Sequence, residues 1–216
     1  MARTSYRVNF PGGNGYQLAG IVDRPDGQNA DGQNAESTPI VVFSHCFTCN
    51  KDLKAIVRIS RALSEHGIAV LRYDMTGLGG SGGEFAKTNF TTNQADLSAA
   101  IRFAETELGP VTALMGHSFG GAVSLAHAGQ STELDSESLK AVITLAAPSD
   151  TRHLAELLSR RDPEIEKLGR GSVTIGGISW DIEKQMLADF RDHDLPAMIP
   201  GIKAATLLFH SPNDET

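Results

Sequence analysis

The sequence is poor in the features that mark secreted, membrane-embedded or nucleic-acid-binding proteins. It has only two cysteines among 216 residues, so a disulfide framework cannot be the basis of the fold. No stretch approaches the roughly 18 consecutive apolar residues of a membrane span. The first ten residues, MARTSYRVNF, lack the apolar core of a signal peptide. We therefore expect a soluble, cytoplasmic protein that does not bind membranes.

Basic residues are also scarce relative to acidic ones. Lys and Arg total 19 against 26 Asp and Glu, which gives a formal net charge of −7. A phosphate backbone would repel this balance, and no basic patch with interleaved aromatic residues occurs, so we expect no nucleic-acid partner. The length suits one α/β domain.

Short apolar runs and helix-like spacing alternate along most of the chain. A hairpin is predicted from residues 8–10 and 17–22, and the polar stretch 24–39 is predicted to be a loop insertion. Further strands are predicted at 40–44, 68–73, 111–115, 141–146 and 205–209, and helices at 53–66, 92–108 and 120–128. This alternation predicts an α/β fold with a mostly parallel, doubly wound sheet preceded by an antiparallel hairpin.

The alternation is interrupted between about residues 148 and 203. A charged helix is predicted near 154–161, followed by a glycine-rich stretch at 169–177 and a second helix at 182–191. Because the strand pattern resumes at 205, we interpret this segment as a small inserted lid within a single domain that spans residues 1–216.

Ser118 lies in the sequence Gly116-His117-Ser118-Phe119-Gly120, which fits the G-x-S-x-G pattern. The pentapeptide alone is weak evidence, but here it lies between a predicted strand and a predicted helix, as a nucleophile elbow requires. The helix N-terminus behind the serine favours developing negative charge. An N-cap serine on a glycine-rich turn is the structural alternative. We predict that Ser118 is a nucleophile.

With this motif in place, the chain resembles the α/β-hydrolase superfamily. Three further stretches carry the resemblance: FSHCF (residues 43–47), RYDMTGLGGS (72–81) and FHSPND (209–214). In order, they are similar to three features of the superfamily. These are the oxyanion turn, the Asp-x-Arg-Gly-x-Gly-x-Ser loop, here with Thr76 in place of Arg, and the strand that precedes the acidic triad member. The string SHCFTCNKDLKAI (44–56) resembles bacterial proteins in which the hydrolase domain is fused to an OsmC-like domain.

The resemblance implies a serine hydrolase that cleaves an ester, or an amide, of a small-molecule substrate without a cofactor. It implies that Asp214 is the acidic triad member and that the backbone N–H groups of Phe47 and Phe119 form the oxyanion hole. The superfamily order is Ser, then Asp or Glu, then His, and no histidine follows Asp214. We therefore expect the base, with the last strand and helix, to lie beyond residue 216, and the 216 residues alone to be inactive.

The two cysteines form a second motif, Cys46-Phe47-Thr48-Cys49, which follows a predicted strand and precedes a predicted helix. A C-x-x-C in this setting is compatible with thiol-redox chemistry. No second cysteine pair or histidine cluster completes a set of four metal ligands, so no metal site is expected. The alternative function is thus a non-catalytic or thiol-redox module that accompanies a fused OsmC-like domain.

Overall fold

A computed structural model describes residues 2–26, 38–130 and 138–214. Most of the predicted loop insertion, residues 27–37, lies outside the described residues. In chain order the elements are β1 (Arg3–Pro11), β2 (Gln17–Pro25), β3 (Ile40–Ser44), α1 (Lys54–Glu65), β4 (Ala69–Tyr73), α2 (Phe90–Glu107), β5 (Val111–His117), α3 (Phe119–Gln130), β6 (Ala141–Leu145), α4 (Arg152–Arg161), α5 (Glu164–Leu168), β7 (Arg170–Ile175), β8 (Ile178–Glu183), α6 (Lys184–Asp192), α7 (Leu195–Met198) and β9 (Ala205–Phe209).

Seven of the strands form one sheet in the order β1-β2-β4-β3-β5-β6-β9. β1 and β2 pair antiparallel, and β2 joins β4 antiparallel, whereas β4, β3, β5, β6 and β9 run parallel. The predicted fold class is confirmed: the sheet is mostly parallel and begins with an antiparallel hairpin.

Both faces of the central strands are buried. Along β3, Val41 and Phe43 contribute to a core with Ile56 of α1, whereas Ile40 and Val42 pack on the opposite face with residues of α2 and α3. Successive side chains of a strand point to opposite faces, so a fully apolar strand is what a parallel sheet covered by helices on both sides requires.

The segment between β6 and β9 contains elements that were not predicted, namely the short helices α5 and α7 and an antiparallel hairpin. The glycine-rich stretch forms one arm of an antiparallel hairpin, β7–β8, and the following helix begins at Lys184, because Ile182 and Glu183 still belong to β8. Gly176 and Gly177 both have positive φ, 60° and 82°. A two-residue turn of this kind favours glycine at both positions, so the Gly-Gly pair is the signal that could have predicted the hairpin.

The far edge of the sheet is formed by β9, whose five residues are all exposed. Its apolar side chains include Leu207, Leu208 and Phe209, which are 51%, 64% and 53% exposed. Within the described ranges, no helix is both long enough and apolar enough to cross a membrane.

Candidate active site

Ser118 occupies the sharp turn between β5 and α3, with φ of 51°. Its backbone N–H donates to the carbonyl of Leu145 in β6 (2.8 Å), and its own carbonyl accepts from Gly121 in α3 (2.8 Å). The turn is therefore held between a strand and a helix, which is the setting predicted for the motif.

The glycines of the motif are there because no side chain fits. A Cβ on Gly116 would lie 2.2 Å from the carbonyl oxygen of Gly120, and a Cβ on Gly120 would lie 2.4 Å from the carbonyl oxygens of Ser44 and His45. The helix can thus approach both its own strand and the end of β3. This close packing of helix and strands holds Ser118 at its positive φ.

Backbone strain in the described part of the chain is concentrated beside this turn. Ser118 and Ala146 are the two non-glycine residues there with positive φ, 51° and 50°. Ala146 follows β6, and its N–H donates to the carbonyl of Phe209 (2.7 Å). Strained residues of this kind cost about 1–3 kcal/mol each and are concentrated at functional sites.

Both strained residues border a cavity of about 520 Å³. Its walls come from the turn after β3, the start of α3, one face of α4 and the tip of the β7–β8 hairpin. The lining residues are Cys46, Phe47, Thr48, Cys49, Ser118, Phe119, Ala146, Pro148, Thr151, His153, Leu154, Leu157, Leu158, Arg161, Ile175, Gly176, Ile178 and His210. A mostly apolar cavity of this size with a few polar groups is typical of a small-molecule site.

Phe47 and Phe119 meet at this cavity. Their rings form an edge-to-face pair with centroids 5.4 Å apart, and each also contacts Phe190 of α6. Phe119 is the first residue of α3, where backbone N–H groups have no partner within the helix. Within the described ranges the N–H of Phe47 has no backbone acceptor. Phe47 and Phe119 thus line the same cavity as Ser118.

His45 fixes the turn that carries Phe47. Its buried ring accepts a hydrogen bond at Nε2 from the N–H of Met75 (3.0 Å), and Nδ1 lies 2.8 Å from the carbonyl of Cys46. Because Nε2 accepts, Nδ1 carries the proton and donates. Burial lowers the pKa of His45 below its ordinary value. A neutral His45 thus links the turn to the loop after β4.

An ionic network holds the other end of the same turn. The guanidinium of Arg72 in β4 donates to the buried Asp23 carboxylate (2.9 Å), to the Lys51 carbonyl (2.8 Å) and to the Asp52 carboxylate (2.9 Å). Lys51 in turn binds the buried Asp74 carboxylate through Nζ (2.7 Å). Although burial acts against it, the hydrogen bond from Arg72, together with the charge of Lys51, lowers the pKa of Asp52.

Asp214 lies in the loop after β9, and its N–H donates to the carbonyl of Ser211 (3.2 Å). Since β5, β6 and β9 are adjacent and parallel, Ser118 and Asp214 lie at the same edge of the sheet. The Asp214 carboxylate lies 3.5 Å from Nε2 of His210. His210 also lines the cavity.

The histidines divide into those that line the cavity and those that do not. His153 and His210 line it. His117, within the motif, has a buried Nδ1 without a hydrogen-bond partner, and burial lowers its pKa. Within the described ranges, no histidine nitrogen lies within hydrogen-bond distance of the Ser118 hydroxyl. Sequence reasoning missed the proximity of His153 and His210 to the cavity because the position of His153 depends on how the inserted segment folds and that of His210 on where β9 joins the sheet.

Cys46 and Cys49 are joined in a disulfide, with their Cα atoms 5.2 Å apart. Both line the cavity on either side of Phe47 and Thr48. The described residues contain no group of three or more His, Cys, Asp or Glu placed to hold a metal ion.

The chain matches one protein-family model and many solved structures. The family described as serine aminopeptidase, S33, matches residues 35–152, which is more than half of the chain. The esterase domain of a Rhodothermus marinus protein is 37% identical, with a TM-score of 0.68, and the match covers 98% of this chain and 78% of that one. A comparison with curated proteins found no match.

Two more distant structures share the fold. Est1E from Butyrivibrio proteoclasticus, solved with bound ferulic acid, is 22% identical (TM-score 0.76), and the match covers 95% of this chain and 79% of that one. The α/β hydrolase GrgF from Penicillium is 20% identical (TM-score 0.70), with 96% and 79% covered. The elbow at Ser118, the sheet order and these matches lead to one conclusion: the chain belongs to the serine aminopeptidase S33 family of the α/β-hydrolase superfamily and is a hydrolase.

Proposed function

We propose that the protein is a serine hydrolase that cleaves esters, or less readily amides, through an acyl-enzyme at Ser118. The observation that carries the proposal is the strained Ser118 at a strand-to-helix turn that opens into an apolar cavity. A serine at such a turn presents its hydroxyl to a bound carbonyl. The esterase domain from Rhodothermus marinus supports an ester substrate.

In the proposed reaction, the Ser118 oxygen attacks the substrate carbonyl carbon while a histidine takes the hydroxyl proton. The N–H groups of Phe47 and Phe119 bind the oxyanion that forms. The histidine then gives the proton to the leaving alcohol, and the acyl-enzyme remains. Water, deprotonated by the same histidine, attacks the acyl-enzyme and releases the acid and the free serine.

We propose that this histidine lies on a segment that follows Thr216 and that Asp214 orients it. The order Ser, Asp, His is that of the superfamily, and the exposed apolar strand β9 offers an edge and two faces for such a segment to cover. His210 is the internal competitor for the role, because it lies 3.5 Å from Asp214 and lines the cavity. The segment from 148 to 203 acts as the lid, since α4 and the β7–β8 hairpin form cavity walls.

Labelling by a fluorophosphonate tests the nucleophile and the base together. Two chains are compared, residues 1–216 and the same chain with whatever segment the gene encodes after Thr216, each with and without Ser118→Ala. We expect the longer chain to gain the phosphonyl adduct on the peptide that contains Ser118, by mass spectrometry, and Ser118→Ala to lose it. A label elsewhere, or none on a folded longer chain, rejects the serine mechanism. If the shorter chain is labelled and His210→Ala abolishes that labelling, His210 is the base.

A second candidate function is favoured by the disulfide. Cys46 and Cys49 are bonded to each other at the wall of the cavity, so a dithiol reductant could transfer two electrons and two protons to the pair and become a disulfide itself. Such a thiol-redox module would suit a fused OsmC-like domain. Thiol titration before and after treatment with dithiothreitol tests this function. Release of two thiols at a reduction potential in the range of cellular dithiols, with no ester hydrolysis by the oxidised or the reduced protein, would favour it.

A further inference from the structure

The charge of the cavity lining differs from that of the chain as a whole. The chain carries 26 acidic and 19 basic residues, but among the described residues no Asp or Glu lines the cavity, and Arg161 is the one permanently charged residue of that lining. Any anionic part of a ligand would therefore meet no like charge there and one guanidinium.

Arg161 lies at the end of a continuous cavity-facing stripe on α4. The stripe consists of His153, Leu154, Leu157, Leu158 and Arg161, which follow the three- and four-residue spacing of one helix face. At 1.5 Å per residue, Arg161 lies about 12 Å further along the helix axis than His153. Ser118, Ala146 and Pro148 line the same cavity as this stripe, so Ser118 and the guanidinium border one cavity whose wall on α4 consists largely of leucine side chains.

The guanidinium of Arg161 keeps donors for a ligand. Its Nη1 donates to the carbonyl of Thr174 in β7 (3.1 Å), which leaves four of its five N–H donors. Among the described residues Arg161 forms no ion pair, whereas Arg72, Arg170 and Arg191 all do. The nearest acid in sequence, Asp162, instead accepts the backbone N–H groups of Glu164 and Ser172.

We propose that the substrate is an ester whose acyl chain carries a carboxylate at its far end, and that Arg161 binds this carboxylate. The inference rests on the proposed function for the position of the scissile bond. A guanidinium pairs with a carboxylate through two parallel hydrogen bonds. A single cation matches the single charge of a carboxylate, and the leucines of α4 suit an intervening methylene chain.

A matched pair of substrates isolates the effect of the distal charge. The mono-p-nitrophenyl ester of suberic acid and p-nitrophenyl octanoate have the same eight-carbon chain and differ in the terminal carboxylate. We expect Arg161→Gln to lower kcat/KM for the suberate ester about tenfold more than for the octanoate ester, which is the loss of one charge-assisted hydrogen-bonded contact. Most of the change should be in KM. Arg161→Glu should widen the difference further.

Arg160 supplies the control, because this neighbouring arginine does not line the cavity. Arg160→Gln changes the protein's net charge equally, and we expect it to affect the two esters alike. If Arg161→Gln also affects both esters alike, or if Arg160→Gln produces the same discrimination, Arg161 does not bind the distal carboxylate and the proposal is overturned, while the serine hydrolase assignment stands.

Binding without turnover separates this proposal from the proposed function. Monomethyl suberate is titrated by calorimetry into the Ser118→Ala protein, with and without Arg161→Gln. We expect binding that weakens about tenfold when Arg161 is replaced. This result supports the proposal even if no ester is hydrolysed, and equal binding or no binding by the two proteins overturns it.

Discussion

At the residue scale, the active-site elbow depends on the absence of two side chains. Gly116 and Gly120 let α3 lie directly against β3 and β5, and that approach holds Ser118 at positive φ. The motif predicted the position of Ser118 between a strand and a helix, because that arrangement is local in sequence. It could not predict that Ala146 is strained in the same way, since that conformation depends on β6 and β9 meeting.

Gly120→Ala tests the steric account. The added Cβ would lie 2.4 Å from two backbone carbonyl oxygens, so we expect a loss of about 1–3 kcal/mol in the free energy of unfolding and loss of labelling at Ser118. Gly82→Ala is the control, since its Cβ would meet nothing closer than 3.5 Å. Urea unfolding measures both. A Gly120→Ala protein as stable as wild type would show that the packing is not tight.

His45 gives the protein a pH dependence of known sign. Burial lowers the pKa of His45 in the folded state, so below about pH 6.5 the unfolded chain binds more protons than the folded one. We expect the contribution of His45 to the free energy of unfolding to be fully present above that pH. As the pH drops further, the free energy of unfolding should decrease by at most about 1.4 kcal/mol per pH unit for each such histidine. His117, whose pKa burial also lowers, contributes in the same direction.

His45→Gln should make this slope shallower without removing it. The measurement is urea unfolding at several pH values between 7 and 5, with His66→Gln as the control, because His66, which directly follows α1, is exposed. An unchanged slope in His45→Gln would mean that His45 is not buried in its neutral form.

At the element scale, the turn after β3 is positioned by contacts that sequence periodicity does not reveal. Arg72 reaches from β4 to Asp23 in β2 and to Lys51 and Asp52 beyond the turn. The alternating pattern predicted the strands themselves. The pairing of a buried arginine with a carboxylate 49 residues away becomes visible only when the order of the strands in the sheet is known. For the same reason the cavity wall on α4 was not predictable, although the helix itself was.

Arg72→Met tests how much this contact contributes. It leaves the buried Asp23 carboxylate with the Ser5 hydroxyl and with Arg3 at 3.9 Å. We expect a loss of about 3–5 kcal/mol in the free energy of unfolding, as is usual when one partner of a buried pair is removed. Arg170→Met breaks an exposed pair with Asp181 at 3.5 Å and should cost less than about 1 kcal/mol. Similar losses in the two variants would contradict the account.

At the scale of the whole molecule, the sheet brings the candidate groups to one edge. β5, β6 and β9 end together, so Ser118, Ala146 and the loop with Asp214 surround one cavity, which α4 and the β7–β8 hairpin cover. Strand order is a global property, and the sequence pattern predicted a mostly parallel sheet but not the order of its strands. The segment proposed to carry the base would pack against β9, the exposed outer strand on one side of the sheet.

The central claim is that Ser118 is the nucleophile of an ester hydrolase. The most direct measurement is the rate of p-nitrophenyl butyrate hydrolysis by the chain with any segment encoded after Thr216, compared with its Ser118→Ala and Ser98→Ala variants. We predict that Ser118→Ala lowers kcat by at least about 10³-fold, whereas Ser98→Ala, on α2 and away from the cavity, leaves it unchanged. Hydrolysis that persists at the wild-type rate in a folded Ser118→Ala protein would contradict the claim.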